Sequence, residues 1–137
     1  MKLMKNIVAA LAACAGLACT ANAADVVIST MYGGGGATGA NPTYYQFDVI
    51  ELHNKSQSSI GIGGWSVQYA SATGNSWTVF KIPAGATIPA GGYYLIRTNA
   101  NAASCVSCAP VPADHLGTGI HMSACPGASG GGKVALV

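Results

Sequence analysis

The chain has 137 residues, a formal net charge of +2 and only 7% charged residues. That length supports one domain with one core, and the charge balance provides no basic footprint for nucleic acid or anionic lipid. Half of the residues are hydrophobic and 19 are glycine, which fits short strands joined by small-residue loops.

The amino terminus reads as a secretory signal peptide. Lys2 and Lys5 form a positive n-region, Ile7 to Ala18 is almost wholly apolar, and Ala21-Asn22-Ala23 places small residues where a signal peptidase needs them. Cleavage is expected after Ala23, so residues 1–23 are leader and 24–137 the mature domain. An alternative puts a lipid on Cys14, because Leu11-Ala12-Ala13-Cys14 has the form of a lipoprotein cleavage box. No later segment approaches the roughly 20 apolar residues of a spanning helix. Removing 23 residues from 137 leaves 114, with four cations (Lys55, Lys81, Arg97, Lys133) facing four acids (Asp25, Asp48, Glu51, Asp114).

Beyond the leader, Val26 to Tyr32 is β-branched and apolar and predicts a strand, which the Gly33–Gly36 run ends. The run lacks the Lys-Ser and helix start of a phosphate cradle, so a flexible surface loop is expected. Asp48 to His53 predicts the second strand. With a period of two, Ile50 and Leu52 share one face and Val49, Glu51 and His53 the other. Burying Glu51 would strand a carboxylate, so Ile50 and Leu52 are assigned to the core. Residues 54–59 form a polar turn. Ile60 and Ile62 alternate with glycine into Gly63-Gly64, a tight turn that leads to a third strand, Trp65 to Ala70. There Trp65, Val67 and Tyr69 alternate with Ser66, Gln68 and Ala70.

A hairpin loop at 71–75 precedes a strand from Ser76 to Ile82, in which Trp77 and Val79 oppose Thr78 and Phe80. Ile82-Pro83-Ala84-Gly85 and Ile88-Pro89-Ala90-Gly91 then repeat one turn motif, with proline expected at the second turn position and glycine closing it. Tyr93 to Thr98 predicts another strand. Residues 99–121 read as a long loop, His121-Met122 as a short strand, and Lys133 to Val137 as a last strand at whose apolar end the sequence stops. Outside the leader no segment has useful helical periodicity.

These features, in this order, resemble the lamin tail domain, and most closely its bacterial exported branch. The resemblance is carried by Asp48-Val49-Ile50-Glu51-Leu52-His53-Asn54, by Gly64-Trp65-Ser66-Val67, by Phe80 to Gly85 with Ile88 to Tyr93, and by Gly132 to Leu136. It implies an all-β, immunoglobulin-like antiparallel sandwich. The family normally adds one more strand after the point where this sequence stops, so a chain truncated at its carboxyl end is expected. The resemblance also implies a non-catalytic module of the kind joined to exported nucleases and phosphatases of the endonuclease/exonuclease/phosphatase type. It assigns no catalytic residue and no cofactor.

Candidate chemistry is sparse. Cys14 and Cys19 leave with the leader, and Cys105, Cys108 and Cys125 remain. In an exported domain they are disulfide candidates, with the pairing open and one thiol left over. Zinc held by these cysteines with His115 or His121 has suitable ligand types, but an oxidising compartment favours the bridge. Asp48, Glu51 and His53 could be combined into a hydrolytic metal site, yet such a site draws convergent ligands from several elements, and a solvated strand face is the better reading. Trp65, Trp77, Tyr69, Tyr93 and Tyr94 could form a platform for sugars or bases. As alternating aromatics of a small sandwich they are expected in the core, with Tyr94 as the exposed one. The candidate binding face is therefore Glu51, His53 and Tyr94.

The sequence thus predicts an exported, non-enzymatic binding or scaffolding module at the amino-terminal end of a larger extracellular protein. Its partner would be a following enzyme domain, a cell-surface component or extracellular DNA. The alternatives are a secreted nuclease or phosphatase that has lost its catalytic domain, and a stand-alone DNA- or carbohydrate-binding module.

Overall fold

A computed structural model describes residues 25–35, 45–98, 109, 111–117, 119–122 and 131–137. Among the described residues nine strands follow in order: β1 (Val26–Tyr32), β2 (Val49–Asn54), β3 (Ile60–Gly61), β4 (Ser66–Ser71), β5 (Thr78–Lys81), β6 (Thr87–Ile88), β7 (Tyr93–Arg97), β8 (His115–Leu116) and β9 (Gly132–Leu136). No helix occurs among the described residues. The strands form a four-stranded sheet β1-β2-β7-β8, a three-stranded sheet β5-β4-β9 and a short β3-β6 ribbon. Among the described strands the pairings are antiparallel except β7 with β8, and an isolated parallel bridge joins Tyr45 to Ala109. This is the all-β, immunoglobulin-like sandwich that the sequence predicts.

The core lies where these sheets meet. Val26, Ile50, Leu52, Tyr94 and Ile96 come from the larger sheet, Val67 and Phe80 from the smaller, and Ile60 and Ile88 from the ribbon. Ile50 and Leu52 are fully buried as expected. Each such side chain contributes about 1.5–3 kcal/mol relative to exposure. Val134 and Leu136 of β9 pack on the same core from the sheet edge.

Several local expectations change. The twin Pro-Ala-Gly turns start one residue later than predicted. The Pro83 carbonyl accepts from Ala86 N–H at 3.3 Å, and the Pro89 carbonyl from Gly92 N–H at 2.9 Å. Proline is therefore the first turn residue and glycine the third. Gly85 and Gly91 adopt φ of 82° and 64° there, a type II shape that a side chain would strain. Each proline retains its carbonyl for the turn bond, and its missing N–H costs nothing. The isoleucine before each proline is what the core needs, since Ile82 and Ile88 are buried.

The glycine run is not a free surface loop at its start. Gly34 and Gly35 are buried, and the Gly34 N–H donates to the Met122 carbonyl at 2.8 Å. A Cβ on Gly35 would overlap the carbonyl of Phe47. His121-Met122, expected as a short strand, lies outside any strand. Its backbone bonds to the glycine run and to Asp48 instead of extending a sheet. β3, β6 and β8 were not predicted, because two-residue strands leave no periodicity to read.

Candidate functional site

β2 divides its polar residues between the two sides of the sheet. Asp48 shares parity with Ile50 and Leu52 and enters the interior, where it is fully buried. Its Oδ1 accepts from Gly35 N–H and its Oδ2 from Met122 N–H, each at 2.7 Å. Its carbonyl accepts from Thr98 N–H at 2.9 Å. One residue thereby joins the strands β2 and β7 to two loops. Burial pushes the Asp48 carboxyl above its ordinary pKa, and the Met122 and Gly35 N–H groups and the charge of His121 pull it part of the way back.

Asn54 closes the other end of the strand and is also fully buried. Its Nδ2 donates to the carbonyls of Ser58 (2.7 Å), Pro89 (2.9 Å) and Ile88 (3.0 Å). Its Oδ1 accepts from Ser56 N–H at 2.9 Å and Ser56 Oγ at 2.8 Å. The polar turn and the second Pro-Ala-Gly turn are fastened to β2 through one amide.

Glu51 and His53 lie on the opposite, solvent side, so Asp48, Glu51 and His53 do not converge. Three cross-strand rows make up this outer face: Val27–His53–Tyr93, Thr30–Glu51–Leu95 and Tyr32–Val49–Arg97. A bulge at Ser29 interrupts the β1–β2 register. It brings the hydroxyls of both Ser29 and Thr30 to Glu51 Oε1, at 2.6 and 3.2 Å. His53 stacks on Tyr93 with ring centroids 4.4 Å apart and planes 11° apart.

The expected exposure of the two tyrosines is reversed. Tyr94 pairs with Leu52, faces the core and is 8% exposed, whereas Tyr93 is 56% exposed. Burial, and then the charge of Asp114, raises the Tyr94 hydroxyl pKa. The signal was available in Arg97. Two-residue steps connect Tyr93, Leu95 and Arg97, and the arginine belongs outside. Trp77, expected in the core, is likewise exposed at 42%. Phe80 pairs with Val67 and takes the inner face of β5, which puts Trp77 on the outer one. Trp65 and Tyr69 do pack against the core.

The outer face of the larger sheet holds a groove of about 320 Å³ with an almost entirely apolar lining. Thr30, Tyr32, Val49 and Leu95 contribute from the strands, and Tyr45, Val111 and Pro112 from the flanking segments. Tyr45 meets Tyr32 edge-on at 5.1 Å. The Val111–Pro112 side is held by Asp114, whose Oδ2 accepts from Leu95 N–H at 2.7 Å while its own N–H donates to the Leu95 carbonyl at 2.9 Å. Arg97 adds a bond to the Val111 carbonyl at 3.4 Å, with its guanidinium 4.1 Å above the Phe47 ring. Sequence reasoning missed the groove because Tyr45, Val111 and Pro112 lie in segments without periodicity.

Cys105, Cys108 and Cys125 lie outside the described residues, as do residues 1–23, which were expected to be a leader, and Cys14 among them. Among the described residues no three His, Cys, Asp or Glu side chains cluster as a metal site. His115 packs against Phe80 at 5.4 Å, and His121 is exposed near Asp48.

The family model of the lamin tail domain matches residues 20–136. The chain belongs to the lamin tail domain family. No curated protein matches it. The immunoglobulin-like character of lamin tail domains agrees with the sandwich described above and is consistent with a non-catalytic module. In this lamin tail domain the motif strand supplies Asp48 and Asn54 as internal fasteners and Glu51 and His53 as surface.

Proposed function

We propose that this lamin tail domain is an exported, non-catalytic binding or scaffolding module. We take it to be the amino-terminal part of a larger extracellular protein, where it presents or anchors a following domain. The observation that carries the reading is the division of labour along β2. Asp48 and Asn54, the polar residues that bracket it, are used up in fixing backbone, and the solvent side of the sheet offers a pre-formed apolar groove instead of converging acids and bases. Export is supported by the leader-like sequence before Ala24.

Expression of the full chain in a bacterium with a working export system, followed by fractionation and amino-terminal sequencing, tests this. The expected mature protein begins at Ala24 outside the cytoplasm. A chain that stays cytoplasmic with residues 1–23 intact would contradict export, and one acylated at Cys14 would replace secretion with a lipid anchor.

A carbohydrate-binding reading has one observation in its favour. Trp77 is exposed on the outer face of the smaller sheet, with Lys133 Nζ 5.5 Å from its ring centroid.

A further inference from the structure

We propose that the groove on the outer face of β1, β2 and β7 receives a lysine side chain from a basic peptide segment, with its methylene stem in the apolar floor and its ammonium at Glu51. The assignment rests on reading the domain as a binding module and names the chemistry of its partner. Its first support is position. Thr30 and Leu95 both line the groove, and Glu51 is the residue between them in the same cross-strand row. Neighbouring strands are roughly 5 Å apart, so Glu51 stands within one strand spacing of both lining residues, beside the groove and not in its lining.

The second support is the state of that carboxylate. Glu51 is half-buried, and its carboxylate contacts are with neutral hydroxyls, those of Ser29 and Thr30. Those bonds orient the acid without neutralising it. A carboxylate already oriented by two hydroxyls has capacity left for a charge-assisted hydrogen bond from a ligand's ammonium. The bulge at Ser29 enforces the arrangement, since regular alternation would send one of the two hydroxyls to the other side of the sheet.

The third support is the lining. Val49, Leu95, Val111 and Pro112 suit a methylene chain, and Tyr32 and Tyr45 supply ring surface that favours cations over anions. Arg97, in the next row, is a cation of its own, held over the Phe47 ring and bonded to the Val111 carbonyl, so the peptide lysine has to keep to the Glu51 side of the groove. A sugar would need more hydrogen-bonding groups than so apolar a lining presents, and a phosphate would meet the Glu51 charge.

The test is an NMR titration of the purified, ¹⁵N-labelled chain with acetyl-Val-Lys-Val-Lys-Val-amide. The expected result is saturable shifts at Thr30, Tyr32, Val49 and Leu95. Binding should weaken roughly fivefold when norleucine replaces lysine or when Glu51→Gln replaces the carboxylate. The Gln variant keeps an acceptor for both hydroxyls, so an unchanged unfolding midpoint shows that the loss is one of charge. Equal binding of the norleucine peptide, or no shifts at these amides, would overturn the assignment. So would chito-oligosaccharide binding at the same amides that survives Glu51→Gln. Shifts confined to the Gln68–Val79 face would overturn it too, yet leave the binding-module reading standing.

Discussion

The Asn54 side-chain amide and the carbonyl of Ile88 are 34 positions apart in sequence and 3.0 Å apart in space. The same Nδ2 also serves Ser58 and Pro89. A single buried amide therefore fixes the end of β2, the polar turn after it and the second Pro-Ala-Gly turn. Removing it takes a donor from the Pro89 carbonyl and the acceptor from the Ser56 N–H, at about 1–3 kcal/mol for each group that stays buried, while the Ser58 and Ile88 carbonyls keep the hydroxyls of Ser56 and Ser59. Asn54→Ala is expected to lower stability by roughly 3 kcal/mol or more in urea denaturation. Asn54→Asp should be at least as damaging at neutral pH, where a carboxylate would face those carbonyls. It should recover partly in acid, because the variant carboxyl's raised folded-state pKa places its stability at low pH.

The buried Asp48 carboxyl makes a prediction with a defined sign. Its folded pKa is raised above 3.8, mainly by burial. Its linkage contribution is therefore fully present below 3.8 and declines as pH rises through the raised value. Carboxyl ¹³C titration should place its midpoint above 3.8. The stability difference between wild type and Asp48→Asn should move in favour of the variant across that window, on top of a pH-independent loss from turning an amide toward the Gly35 or Met122 N–H. A midpoint below 3.8 would mean that the two N–H bonds outweigh desolvation.

Gly35 and Gly61 form a matched pair of glycines. A Cβ on Gly35 would overlap Phe47 backbone atoms, which cannot rotate away, whereas one on Gly61 meets nothing within 4 Å. Gly35→Ala should lower the melting temperature strongly, with a loss of several kcal/mol as the Asp48 anchor shifts. Gly61→Ala should be neutral or stabilise by about 0.5–1 kcal/mol, since it lies in β3 and removes unfolded-state freedom. Thermal unfolding of the two variants is the check.

The adjacent tyrosines of β7 should behave oppositely. Tyr94 is in the core and Tyr93 lies on the surface against His53. Tyr94→Ala should cost about 3–4 kcal/mol and Tyr93→Ala roughly 1 kcal/mol, as read by denaturation midpoints.

The longer strands were legible because each carries enough alternation to fix its position within a residue or two, and Ile50 and Leu52 were placed correctly from the cost of burying Glu51 alone. The family was legible from the order of the motifs. The roles of Asp48 and Asn54 were not. Both residue types are common at strand ends and in turns, and only the fold brings Gly35, Met122 and Ile88 to them. The reversal of Tyr93 and Tyr94 came from weighing aromatic character above the parity that Arg97 imposes. The groove could not be read because its walls come from residues 45 and 111–112, which meet β1, β2 and β7 only after the chain has folded.

The proposed role makes the β2 motif framework inside and binding surface outside, without hydrolytic chemistry. Its most direct test is turnover of plasmid DNA and bis-p-nitrophenyl phosphate by the purified chain with Mg²⁺, Mn²⁺ or Zn²⁺. The expected result is no turnover above the metal-only background. Turnover that is abolished by both Glu51→Gln and His53→Ala, in variants that retain the wild-type unfolding midpoint, would contradict it.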